Sequence, residues 1–170
     1  MFNLFKKSTA SAFQKHFNEI STLSCVSKSK ACKPLTAAYL FVVSDYTLMC
    51  VGKMSARNEK AREIFSILES GLLSPNELKL FDRCVELFGQ VIRGVVSARG
   101  DWCLMDESPN NSMINLYMCF GDLLNFPDYI NDYKHAPITV LPIDQLLDFS
   151  TQFNEVLKNT LSYVDSIKRG

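Results

Sequence analysis

Residues 35–51 read LTAAYLFVVSDYTLMCV, apolar almost throughout, with one acid, Asp45, in the middle. What surrounds this run decides the fold. Its length is at the short limit for crossing hydrocarbon. A carboxylate near its centre adds about 2.5–3.5 kcal/mol on insertion scales. Lysines at 28, 30 and 33 on one side, and Lys53 and Arg57 on the other, give little orientation bias. The run therefore reads as the buried central helix of a water-soluble bundle. At about 100° per residue, Thr36, Ser44 and Thr47 share one side, and Asp45 falls opposite them among Ala38, Phe41, Leu48 and Met49. An ionised carboxylate buried there is costly unless paired. Asp45 is thus read as a buried acid with three roles open to it: anchored by an Arg, Lys or Tyr hydroxyl, meeting another chain, or lining a pocket.

Helical periodicity spreads outward from this run. Pro34 suits a first helical position, and Gly52 closes the segment. Before it, Phe13, Phe17, Ile20 and Leu23 form one stripe over residues 8–23. After it, Ala61, Ile64, Phe65 and Leu68 face inward over residues 56–70, with Ser55 as the expected N-cap and Gly71 as the stop. Ser74-Pro75-Asn76-Glu77 has the form of a capping box with proline at the first helical position. From there Leu78, Phe81, Val85, Phe88, Ile92 and Val95 line one face and Lys79, Asp82, Arg83, Glu86, Gln90 and Arg93 the other, ending at Gly100. Gly89 and Gly94 fall inside this helix, each weakening it by about 1 kcal/mol relative to Ala. Close approach of a neighbouring helix is the expected reason.

Residues 111–125 and 143–168 complete the set; the latter carries Leu146, Phe149, Phe153, Val156, Leu157, Leu161, Val164 and Ile167 on one face. Pro127-Asp128 is expected to start a short helical turn, and residues 138–141 to run extended. The expected fold is all-α: one domain over residues 1–170, residues 1–7 a flexible lead, with five or six helices, a central apolar helix at about 34–51, and irregular connections at about 101–110 and 126–142. The helices beginning at Pro75 and Ile143 are expected to pack beside the central one.

Composition narrows function by exclusion. Apolar residues make up 47% and charged residues 21% of the 170, which places the chain among folded globular proteins. Six cysteines lack any CxxC pair and no secretory signal precedes them, so they read as reduced thiols in the cytoplasm. His16 and His135 are far apart, and no Glu-x-x-His, GxSxG, P-loop or GxGxxG pattern occurs. No metal, no cofactor and no catalytic residue is therefore expected. Net charge is zero, yet residues 1–62 carry +7 and residues 63–170 carry −7. Such halves fold against each other or offer opposite patches to partners, a second copy included.

Two surfaces stand out. Lys28, Lys30 and Lys33 precede a helix N-terminus and form a weak candidate anion site. Between residues 101 and 135, Asp101, Asp106, Glu107, Asp122, Asp128 and Asp132 oppose only Lys134, with Trp102, Phe126, Tyr129 and Tyr133 interleaved. Acids and aromatics on irregular backbone suit a basic protein partner. The expected binding residues are Trp102, Asp106, Glu107, Asp128, Tyr129, Asp132 and Tyr133. The leading expectation is a non-catalytic protein acting by protein–protein binding: an adaptor, a regulatory subunit or an immunity or antitoxin-type inhibitor. The alternatives are a small helical enzyme or ligand-binding bundle with Asp45 in an internal pocket, and a subunit of a nucleic-acid complex using the basic N-terminal third.

Overall fold

The structure is a computed structural model and describes residues 9–98, 112–137 and 143–170. Among the described residues there are seven α-helices and no strand. They are α1 (Thr9–Ser21), α2 (Ser24–Ser27), α3 (Cys32–Cys50), α4 (Arg57–Ile67), α5 (Pro75–Ile92), α6 (Ser112–Asn125) and α7 (Ile143–Arg169).

α3 is the hub. Pro34, Leu35, Thr36, Ala37, Ala38, Tyr39 and Leu40 are all buried, so its first half touches protein on every side. α1, α4, α5, α6 and α7 all pack against it. Tyr39 holds the centre. Its ring stacks on Phe120 of α6 at 4.4 Å and meets the edge of Phe88 of α5 at 6.4 Å. Its hydroxyl shares a 2.9 Å hydrogen bond with Thr160 of α7, which in turn donates to the Val156 carbonyl. One side chain thus ties four helices, and the Tyr39 and Thr160 hydroxyls are both hydrogen-bonded. A second aromatic cluster joins α3, α4 and α5: Phe41, Phe65 and Phe81 meet pairwise edge-on at 5.4–5.8 Å.

The second half of α3 emerges from this wrapping. Asp45 and Tyr46 are half-buried, and Met49 and Cys50 are exposed. Thr36, Ser44 and Thr47, by contrast, are buried. Asp45, expected to be buried, is therefore at the half-exposed side, and the hydroxyl side is the one turned inward. Ser and Thr are small and carry no charge, so they are much cheaper to bury than a carboxylate. No helix of the described residues is long and apolar enough to cross a membrane.

Local chemistry explains most element ends. The capping box forms as expected: Ser74 N–H donates to Glu77 Oε2 at 2.7 Å and Glu77 N–H donates back to Ser74 Oγ at 3.4 Å. α3 begins two residues before Pro34, at Cys32. A proline is still tolerated there, because none of the first-turn amides has an intrahelical acceptor. The stretch read as a polar connection contains the short helix α2. Ser55 is not a cap: it lies in a 3₁₀ turn over Met54–Ala56, and α4 starts without a side-chain cap. α4 gives way to a π-turn over Leu68–Leu72, ended by Gly71 at φ 117°, a value only glycine adopts without strain. α5 stops at Ile92, and Gly94 at φ 72° is its terminator, so Gly94 is not a helix-interior residue. The expected stop at Gly100, the connection at 101–110 and the extended run at 138–141 lie outside the described residues.

Candidate functional site

The acidic, aromatic segment is built on a three-residue rhythm. Pro127–Asn131 and Tyr133–His135 are 3₁₀ turns closed by successive backbone bonds: Tyr129 to Phe126, Asp132 to Tyr129, His135 to Asp132 and Ala136 to Tyr133. Side chains three apart eclipse in such turns. Ile130, Tyr133 and Ala136 accordingly all face inward. Asp128, Asn131, Asp132, Lys134 and His135 are left exposed, and Tyr129 is half-buried. Tyr129 packs edge-on against Phe126 at 6.4 Å.

Tyr133 was expected on the binding surface and is instead buried. Its hydroxyl donates to Asp122 Oδ2 at 2.5 Å, and Asp122, in α6, is only 3% exposed. Burial, reinforced by the neighbouring Cys119 and Asp122, pushes the Tyr133 phenol well above its ordinary value, so it stays a proton donor. The pair fastens the turn to α6. A second tie is Arg83 of α5, which donates to Asn131 Oδ1 at 3.2 Å. Asp132 and His135 face each other at 2.6 Å. Between α5 and the turn lies an open cleft of about 390 Å³, with Arg83, Glu86, Gln90, Asp132 and Lys134 on its walls.

Asp122 is the buried acid that the sequence reading assigned to Asp45. A usable signal was present: Asp122 is the one charged residue in the helix SMINLYMCFGDLLN. Asp45 itself lies at the surface end of α3 with its side chain 39% exposed. Arg57 of α4 grips both its oxygens, Nε on Oδ1 at 2.6 Å and Nη2 on Oδ2 at 2.5 Å. The pairing with Asp45 raises the Arg57 guanidinium above its ordinary value. Both oxygens are thus engaged in one two-pronged ion pair. It links α3 to α4 across their connection, as the expected Arg anchor would, but at the rim rather than in the core.

The three loop lysines do not converge. Lys28 lines an open cleft of about 440 Å³ together with Asp148 of α7, while Lys33 faces Glu77 of α5. All three are exposed, and the start of α3 carries no side-chain cap. Trp102, Asp106 and Glu107 lie outside the described residues.

Burial pushes the Cys25 thiol up to about 11 and the Cys84 thiol up to about 12, and raises Cys32 and Cys119 likewise. These groups are protonated at neutral pH and are weak nucleophiles. No protein-family model, no curated protein and no solved structure matches the chain.

Proposed function

We propose that this chain is a non-catalytic helical protein of the cytoplasm that works by binding another protein, and that the 126–135 turn is its contact surface. One observation carries the reading. A segment of irregular backbone is fastened from behind, by buried Ile130 and Ala136 and the Tyr133–Asp122 bond, while Asp128 and Asp132 are exposed and Tyr129 is half-buried. Rigid presentation lowers the ordering cost of association. Two exposed carboxylates beside a partly covered aromatic ring suit a partner with a basic patch, and complementary charge speeds encounter. Tyr133 serves as the fastening of this surface and not as a contact. Protonated, largely buried thiols and an Asp45 carboxylate already occupied by Arg57 favour binding over catalysis. The five free cysteines of the described residues fit a reducing compartment.

The test is capture of partners from the native host on tagged wild-type protein and, in parallel, on Asp128→Lys/Asp132→Lys. A protein retained by the wild type and lost from the variant, with both baits melting at the same temperature, supports the proposal. Equal recovery on both baits, or no retained protein, refutes it.

A further inference from the structure

Gly89 lies inside α5 and is not explained by the packing of the fold. Among the described residues, the nearest atoms to a side chain there belong to the guanidinium of Arg93, whose Nη1 is 3.3 Å from the position of a Cβ. Among the described residues no neighbouring helix crosses at this point, so none of them makes the close approach expected from the sequence. Yet a glycine at this position costs about 1 kcal/mol of helix stability.

Gly89 forms part of the floor of an open groove of about 420 Å³ between α3 and α5. Its apolar walls include Phe41, Met49, Val85 and Ile92. Met49 is 44% exposed, a large flexible apolar side chain left in water beside the groove. Four charged groups border it: Asp45, Arg57, Glu86 and Arg93. Asp45 and Arg57 satisfy each other. Glu86 and Arg93 are exposed and, among the described residues, have no ion-pair partner.

The placement of these two charges is self-complementary. They are seven residues apart, so they share one face of α5 and stand about 10.5 Å apart along its axis. The midpoint between them falls at Gly89–Gln90. A second α5 laid antiparallel across that midpoint brings Glu86 opposite the partner's Arg93, and Arg93 opposite the partner's Glu86. This is the reciprocal pattern of an isologous two-fold contact. The glycine sits at the crossing, where two helices must come closest.

We propose that the groove is an interface between two copies of this chain, with α5 crossing α5 antiparallel at Gly89 and two Glu86–Arg93 pairs closing it. The apolar floor and Met49 are covered in that dimer, and Glu86, which also edges the cleft beside the 126–135 turn, places the two surfaces next to each other. The inference does not rest on the surface at the turn, because self-association of the chain alone tests it without the other partner.

The experiment is sedimentation velocity and equilibrium of the full chain up to about 0.1 mM, where a dissociation constant near 10 μM leaves mostly dimer. The wild type is expected to approach twice its monomer mass. Glu86→Arg sets like charges opposite each other at both pairs, and Arg93→Glu does the same with the opposite sign. Each is expected to raise the dissociation constant about tenfold or more. The double swap Glu86→Arg/Arg93→Glu restores both pairs, and so does an equimolar mixture of the two single variants, which is expected to form a heterodimer. A wild type that stays monomeric overturns the proposal. So does a dimer indifferent to the single reversals, or single variants that neither the swap nor the mixture rescues. Both positions are exposed, and the mixture contains only chains already characterised alone, so misfolding of a new variant cannot mimic rescue.

Discussion

Replacing Tyr133 by Phe removes one hydroxyl and leaves the ring in place. The lost bond is 2.5 Å long and ends on a carboxylate that is 3% exposed. Hydrogen bonds to charged groups contribute about 1.5–3 kcal/mol, and a buried acceptor that loses a donor recovers little from water. The expected cost is therefore about 2–3 kcal/mol, which lowers the melting temperature by about 4–10 °C for a chain of this size. Urea unfolding followed by circular dichroism gives the free energy. Asp122→Asn is the control: its side-chain oxygen still accepts from Tyr133, so it should cost less than Tyr133→Phe. Hydrogen exchange adds a local readout, because the amides of Asp132, His135 and Ala136, all bonded within the turn, should lose protection together. A Tyr133→Phe protein within about 0.5 kcal/mol of wild type would show that the bond does not fasten the turn, and the case for a rigid acidic surface would go with it.

Three further perturbations follow from the same structure. Asp45→Leu should change stability by less than about 1 kcal/mol, because the ion pair is about one-third exposed and Arg57 can turn to water; a loss above about 2 kcal/mol in chemical denaturation would mean the pair holds α3 to α4. Gly89→Ala should stabilise the monomer by about 0.5–1 kcal/mol in the same assay, since among the described residues the nearest atoms are the free end of an exposed arginine, while weakening self-association; a destabilised monomer would contradict the open geometry at Gly89. Burial holds the His16 ring below its ordinary value of 6.5, against the opposing pull of Glu19, so below pH 6.5 the unfolded chain takes up a proton that the folded chain refuses. Stability should therefore fall as pH drops from about 7.5 towards 5.5, and His16→Gln should flatten that slope; an unchanged slope refutes the assignment.

Features encoded within a few residues were the ones legible in the sequence. The Ser74–Glu77 capping box, the Pro127 turn and the stripe on α1 need only local spacing, and all are present, whereas the α7 stripe holds at Phe153, Val156 and Ile167 but not at Leu161, which is exposed while Thr160 and Tyr163 are buried. The centrality of α3 followed from its composition. Which way α3 faces did not, because a helix that is apolar all round has no periodicity to orient it; the neighbours α4 and α5 decide, and they leave Asp45 at the rim. A lone acid in an apolar helix occurs twice, at Asp45 and at Asp122, and only Asp122 is sealed in the core. Its partner Tyr133 comes from a turn that periodicity does not describe. α5 ends at Ile92 and not at the expected Gly100, because Gly94, at a φ of 72°, already turns the chain, and spacing alone does not say which glycine in a helical pattern will do so.

The reading of this chain as a binding protein is tested most directly by titrating the protein recovered from the host against wild type and Asp128→Lys/Asp132→Lys at about 0.1 M and about 1 M salt, where the Debye length falls from about 10 Å to about 3 Å. The account predicts that the double reversal weakens binding at least tenfold at the lower salt, and that high salt weakens the wild-type complex while narrowing the gap between the two. Equal affinity of both proteins at the lower salt contradicts it.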